Sequence, residues 1–246
     1  MKKLLIMVLA FGTLYATTLK ETIKKCNSGD AIACTMAGYD YQAVPNMSMA
    51  KEFYEKACNL DEPNGCYKLG LIYLDIAVMD KAIKTFKKGC DNFAQDACNE
   101  LGIIYDYKKQ HNKAFNYYKL ACGYNSAEGC NNLGYYYLIG KSVKKDSTKA
   151  AELFVKACAK NSGSACNNLG LMYANSENLE KNFKKAANLF VKSCNLQFAK
   201  GCSNLGVAYV TGRGVSKNRD KAKEYFKKSC TIGLEEGCKN YERITK

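Results

Sequence analysis

Fourteen cysteines fall into seven pairs, and the members of every pair stand eight positions apart: Cys26/Cys34, Cys58/Cys66, Cys90/Cys98, Cys122/Cys130, Cys158/Cys166, Cys194/Cys202 and Cys230/Cys238. A constraint that recurs in register along the whole chain demands a repeating structural unit, whatever the local propensities are. Such a pair could be a metal half-site, a redox couple or a structural staple. Metal sites need short CxxC spacings or histidines at helical offsets, and the chain has no CxxC and one histidine, His111. A catalytic redox couple is normally a single CxxC beside a sheet, not seven copies. The staple reading remains; it requires an oxidising compartment, and it predicts no metal and no cofactor.

The first sixteen residues, "MKKLLIMVLAFGTLYA", open with Lys2 and Lys3, continue in an apolar run from Leu4 to Phe11 and reach a small residue, Ala16. That pattern is expected of a secretory signal peptide cleaved near Ala16, because the apolar run is too short to cross a bilayer. The expected organisation is a signal peptide over 1–16 and a single repeat domain over 17–246, in a secreted or periplasmic protein with no membrane span. Removing Lys2 and Lys3 lowers the formal charge from +14 to +12. Nearly all of the excess is lysine, since Arg213, Arg219 and Arg243 are the only arginines. Arginine is the side chain that reads phosphates and bases bidentately, so the excess is read as solvated lysine faces, with no nucleic-acid partner; an acidic partner is compatible with it.

Two prolines, no tryptophan and apolar residues at helical spacing throughout predict an all-helical chain. Aligned on the second cysteine of each pair, a glycine follows at the fourth position (Gly38, Gly70, Gly102, Gly134, Gly170, Gly206) and a tyrosine at the seventh (Tyr41, Tyr73, Tyr105, Tyr137, Tyr173, Tyr209). Offsets of zero, four and seven share one helical face, here called helix A. Before the next cysteine, alanine stands eight residues back and an aromatic four back, as in Ala186 and Phe190. That stripe defines helix B, which presents small, large and then Cys toward helix A. The pairs recur every 32 residues for three steps and every 36 for three more, and the four extra residues fall between helix A and helix B. Because the cysteine spacing never changes, the staple is expected around the other turn, from helix B into the next helix A. In "CAKNSGSAC", from Cys158 to Cys166, that turn is expected to be "NSGS", residues 161–164. Half-units stand at both ends, where terminal repeats are atypical.

Leu-Gly then Tyr on helix A and Ala then an aromatic on helix B, most fully in "LGVAYVTGRGVSKNRDKAKEYF", resemble the Sel-one-like repeat, a cousin of the tetratricopeptide repeat. With the fixed cysteine gap and the leader, the chain resembles the Helicobacter cysteine-rich protein family. The resemblance implies a right-handed α/α solenoid of six disulfide-stapled helix hairpins with half-repeat caps, acting as a monomer. It also implies two functions: a scaffold that binds a protein or peptide through its concave face, or a penicillin-binding protein or weak β-lactamase acting on a β-lactam or a cell-wall fragment.

A serine β-lactamase needs Ser-x-x-Lys, Ser-Asp-Asn and Lys-Thr-Gly. Ser-x-x-Lys occurs at Ser48/Lys51 and at Ser142/Lys145, as often as chance allows; Ser176–Asn178 reads "SEN", and Lys-Thr-Gly is missing. Ser48 is more simply a helix cap, and His111 a solvent-exposed turn residue. Catalytic residues therefore stay unassigned. Carried over from tetratricopeptide-like stacks, the residue after the helix-A cysteine (Thr35, Tyr67, Asn99, Asn131, Asn167, Ser203) and the fifth after it (Tyr39, Leu71, Ile103, Tyr135, Leu171, Val207) should face the groove. Asn99, Asn131, Tyr135, Asn167, Leu171 and Ser203 are the expected binding residues, because carboxamides can bond both donors and acceptors of an extended peptide. The competing reading places the Asn in local backbone bonds and the apolar residues in the core.

Overall fold

The computed structural model describes residues 18–44, 46–175 and 180–246. The leader and Ser176–Asn178 lie outside the described residues, whose fourteen helices are joined by turns without strands. The chain divides into two compact units, at Lys109/Gln110. The first holds α1 (18–27), α2 (Ala31–Ala43), α3 (Met47–Asn59), α4 (Pro63–Asp75), α5 (Met79–Asp91) and α6 (Gln95–Tyr107). The second holds α7 (His111–Gly123), α8 (Ala127–Ile139), α9 (Ser147–Ala159), α10 (Gly163–Asn175), α11 (Phe183–Asn195), α12 (Ala199–Thr211), α13 (Arg219–Thr231) and α14 (Glu235–Thr245). No helix among the described residues is long and apolar enough to cross a membrane.

Even-numbered helices are the predicted helix A and odd-numbered ones helix B. Many begin where a polar side chain can take up an orphan backbone N–H: Asp30, Asn46, Asp146, Asn182 and Asn218 each accept from the N–H three residues on, at 2.8–3.2 Å. Asn46, not Ser48, therefore caps α3. Ser48 is the second residue of that helix, and His111 is the first of α7 rather than a turn residue. The 36-residue repeats close their longer A-to-B turn by returning the cap N–H to the helix-A tyrosine: Asp146 to Tyr137, Asn182 to Tyr173 and Asn218 to Tyr209, at 2.9–3.0 Å. In the shorter repeats Ala77 and Lys109 take positive φ in a three-residue connection.

Inside five of the hairpins the fourth-position glycine meets the helix-B aromatic. A Cβ on Gly38 would fall 2.4 Å from Tyr54, on Gly70 2.4 Å from Phe86, on Gly134 2.9 Å from Phe154, and on Gly170 and Gly206 2.6 Å from Phe190 and Phe226. The aromatic rings are buried, so the glycine sets how closely the helices approach. On the outer edge a lysine covers the helix-A tyrosine: Lys81 over Tyr73, Lys149 over Tyr137, Lys185 over Tyr173 and Lys221 over Tyr209, with Nζ 4.7–5.5 Å from the ring centre.

All seven disulfides join the end of one helix B to the start of the next helix A, as the spacing predicts: Cys26–Cys34, Cys58–Cys66, Cys90–Cys98, Cys122–Cys130, Cys158–Cys166, Cys194–Cys202 and Cys230–Cys238. None of the fourteen cysteines is free. The turn they enclose is shorter than expected. In "CAKNSGSAC" it is Lys160–Ser162, and Gly163 and Ser164 already belong to α10. The reason is that the second cysteine does not stand at the edge of the turn. Cys34, Cys66, Cys98, Cys130, Cys166, Cys202 and Cys238 are each the fourth residue of their helix A, and their N–H groups donate at 3.0–3.3 Å to the carbonyl of the residue just before that helix. That bond closes the first helical turn, so the staple grips helix A by its first full turn of backbone. Cys34, Cys66, Cys98, Cys130, Cys166 and Cys202 are fully buried, whereas Cys238, in the last half-repeat, is half-buried. The cysteines thus serve as structural sites inside the joints.

Every stapled turn carries a left-handed residue three after its first cysteine: Gly29, Asp61, Phe93, Asn125, Asn161, Gln197 and Gly233. Successive repeats are locked further by side chains that reach the stapled joint of the repeat before. Lys156 Nζ donates to Cys122 O at 3.2 Å and Lys192 Nζ to Cys158 O at 2.8 Å, which satisfies carbonyls at helix C-termini. Ser193 and Ser229 donate to the carbonyls of Gly163 and Ala199 at 2.7 and 2.9 Å. Part of the polar and cationic surface expected to be merely solvated is thus structural.

Candidate functional site

The expected binding residues all lie on helix A, in α6, α8, α10 and α12. In the second unit, Asn131, Asn167 and Ser203 are no more than 7% exposed, while Tyr135 is 48% exposed and Leu171 half-buried. The carboxamide oxygens of the two asparagines are already engaged. Asn131 Oδ1 accepts from Asn168 Nδ2 at 2.9 Å, and Asn167 Oδ1 accepts from Asn204 Nδ2 at 2.7 Å. A ladder therefore runs from helix A to helix A. The asparagine directly after the cysteine is its buried rail, and the next residue, half-buried Asn168 or Asn204, stands nearer the surface. In the first unit Asn99 is similarly buried on α6, at 7% exposure.

The ladder borders a row of clefts in the second unit. Between α8 and α10 a cleft of about 370 Å³ is lined by Tyr135, Leu138, Ile139, Asn168, Leu171 and Asn175. Between α10 and α12 one of about 160 Å³ takes up Leu171 and Asn175 again and adds Asn204, Val207, Thr211 and Arg213. Val207 also opens onto a third cleft, about 590 Å³, where α12, α13, α14 and the turn between α12 and α13 contribute Val210, Lys217, Arg219, Asn240, Arg243 and Ile244. Shared walls make this a continuous track with an apolar floor and a carboxamide at each repeat. Sequence reasoning reached Tyr135, Leu171 and Val207. It missed the second residue after the cysteine, although the doublets Asn131–Asn132 and Asn167–Asn168 are its signal.

The same face of the first unit is chemically different. Lys68 Nζ lies 5.1 Å from the Tyr39 ring and 5.6 Å from that of Tyr67. Burial raises the Asp96 carboxyl above its ordinary range, although Lys68 pulls it down, and burial with the Asp96 charge raises Glu100. The Tyr67 phenol is raised by burial and by those two carboxylates, and Tyr39 by burial and then by Glu62. Glu62 accepts a hydrogen bond from Thr35 at 2.6 Å and caps α4 through the Gly65 N–H. Tyr39, Tyr67 and the Asp96 carboxylate thus share the neighbourhood of Lys68.

Of the two Ser-x-x-Lys matches, Ser48 lies in the first turn of α3 and Ser142 in the turn between α8 and α9. Lys51 is turned to Glu55, at 3.5 Å, and lies 5.2 Å from the Tyr73 ring centre. Ser142 holds a left-handed turn at φ 60°, the place that Gly214 occupies in the last repeat. No group of three or more histidine, cysteine, aspartate or glutamate side chains among the described residues could hold a metal ion.

Comparison with known proteins places the repeats. The Sel1 repeat model matches residues 31–62, 127–162, 163–198 and 199–234, more than half of the chain, and a tetratricopeptide repeat model matches 95–128. No curated protein matches the sequence. Among solved structures, c5321, a protective antigen of uropathogenic Escherichia coli with an SLR fold, superposes with TM-score 0.76 at 24% identity over 92% of this chain. This chain spans only 51% of that protein. A Sel1 repeat protein from Oxalobacter formigenes superposes with TM-score 0.75 at 21% identity, over 82% of this chain and 85% of its own. Helicobacter pylori cysteine rich protein B is 37% identical over 53% of this chain and 94% of its own, with TM-score 0.44. At these identities the first two similarities establish the α/α repeat fold, and the repeat matches establish the family: the chain belongs to the Sel1 repeat family.

Proposed function

We propose that the protein is an exported, disulfide-stapled binding scaffold that holds an extended protein or peptide segment along its helix-A face, the side that lines the concave groove in tetratricopeptide-like stacks. The track across α8, α10, α12 and α14 carries this reading. Its apolar pockets recur at the repeat spacing beside carboxamides that recur with them, and an extended peptide presents side chains and backbone amides in the same alternating way. Tyr135, Leu171 and Val207 contact the ligand. Asn131, Asn167 and Ser203 sit beneath as the rail that sets Asn168 and Asn204, and Asn99 has the corresponding place in the first unit. Seven disulfides support an oxidising compartment outside the cytoplasm, following cleavage of the leader near Ala16.

The test is a positional-scanning library of fluorescent decapeptides titrated against the oxidised mature protein. Selected sequences should alternate apolar and small polar positions. Their affinity should fall at least tenfold in Tyr135→Ala and in Val207→Asp, with melting temperature unchanged because both positions are exposed. Failure to select any sequence, or selection of peptides indifferent to both substitutions, would refute the assignment.

A further inference from the structure

All three arginines of this lysine-rich chain, Arg213, Arg219 and Arg243, fall within its last 34 residues. Two of them, with Lys217, line the third cleft of the track, whose floor includes Val210 and Ile244, and no carboxylate lines it. The Arg219 guanidinium is fixed: Nε and Nη2 donate to Ile244 O at 3.3 and 2.9 Å. Of five guanidinium donors, three remain for another acceptor. Among the described residues neither Lys217 nor Arg243 makes an ion pair.

Asn240 adds an independent observation. It occupies the register of Asn168 and Asn204, which donate to an asparagine of the preceding helix A, but the corresponding residue before it is Ser203. The carboxamide ladder stops there. The Asn240 side chain makes no hydrogen bond among the described residues, and it is half-buried and lines the cleft.

We propose that this cleft seats the free C-terminus of a peptide. The α-carboxylate lies among Arg219, Arg243 and Lys217, the last side chain, an apolar one, rests on Val210 and Ile244, and Asn240 bonds the preceding peptide unit. Guanidinium groups match carboxylate geometry, and a cleft with three exposed cations and no acid favours an anion. An inorganic anion would leave the apolar floor uncovered, and an acyl chain would leave Asn240 unpaired at the cost of a desolvated amide. The proposal rests on the peptide-binding reading and adds to it a polarity: the chain terminus of the ligand lies at α14.

Two fluorescein-tagged pentapeptides ending in Ala-Leu, one a free acid and one an amide, are titrated against the oxidised mature protein. The acid should bind at least tenfold more tightly. The double substitution Arg243→Ala/Lys217→Ala should erase that difference, Asn240→Ala should weaken both forms alike, and Lys227→Ala, an exposed lysine on α13 outside the cleft, should change neither. Equal affinity of acid and amide overturns the proposal, as does failure of both to bind. So does competition by inorganic phosphate or decanoate equal to that of unlabelled acid peptide. If the acid and amide bind equally and binding still falls in Val207→Asp, the peptide-binding reading stands while the terminal-carboxylate site falls.

Discussion

Replacing Gly170 with alanine separates the contribution of close helix packing from that of helix propensity. Taken alone, glycine to alanine inside a helix stabilises by about 1 kcal/mol. At Gly170 the new methyl would lie 2.6 Å from Phe190 Cε1, 2.9 Å from Cδ1 and 3.3 Å from the Ala186 carbonyl oxygen. Carbon atoms in contact prefer about 3.5–4.0 Å, so the overlap approaches 1 Å. The ring cannot retreat freely, because Phe190 is 5% exposed and packs in one cluster with Ala186 and Leu205. Overpacking of this kind costs about 1–3 kcal/mol, which outweighs the propensity gain and leaves a net loss of about 1 kcal/mol. Gly123, in the last turn of α7, has nothing within 4 Å of an added Cβ, so the same substitution there should gain a few tenths of a kcal/mol (roughly 0.3). Urea denaturation of the oxidised protein measures both, and hydrogen exchange should locate the Gly170→Ala effect in α10 and α11. Phe190→Leu in the Gly170→Ala background should recover part of the loss. A neutral or stabilising Gly170→Ala, or equal effects at the two glycines, would refute the view that this glycine sets the spacing of the hairpin.

Gln197 occupies the left-handed turn position at φ 59°, which costs a side chain about 1 kcal/mol, so Gln197→Gly should raise stability by about 0.5 kcal/mol in the same denaturation assay. Lys192→Met removes the bond to Cys158 O and should cost about 0.5–1 kcal/mol; the backbone N–H of Asn161 still reaches that carbonyl. The Tyr73 phenol is pushed up to about 12 by burial, then by its 2.8 Å hydrogen bond to Glu55 and by that carboxylate's charge. A raised folded value stabilises fully below the unfolded value of about 10 and is lost as pH rises through the folded one, so the penalty falls in the alkaline window above about 10. Ultraviolet titration should show Tyr73 ionising above the ordinary phenol range, and earlier in Glu55→Gln.

The periodic parts of this molecule were legible because their cause lies within one repeat. The cysteine gap of eight predicts the staple, and glycine four residues after it predicts the close helix contact that Gly170 and Phe190 make. The length of the stapled turn was misjudged because Gly163 and Ser164 have the composition of a turn, while the bond from the Cys166 N–H to Ser162 O draws both into the helix. What stayed hidden depends on partners one repeat away. Asn131 was expected to face the groove because its offset from Cys130 suits it. Its carboxamide oxygen also accepts from Asn168, thirty-seven residues on, a contact that periodicity within a hairpin does not encode. Lysines such as Lys156 and Lys192 read as solvent-facing charge for the same reason: the carbonyls they reach lie in the repeat before. The arginines were visible in the sequence, but their convergence with Asn240 depends on how α12, α13 and α14 pack.

The central claim is that an extended peptide lies along the helix-A face of the second unit. Photo-cross-linking tests it most directly, using a library-selected decapeptide with a benzophenone at successive positions, followed by peptide mapping of the oxidised complex. The account predicts adducts on α8, α10 and α12, at Tyr135, Leu171, Val207 and their neighbours, advancing from helix to helix as the label moves along the peptide. Adducts confined to α9, α11 and α13, or an adduct position that does not move with the label, would contradict it.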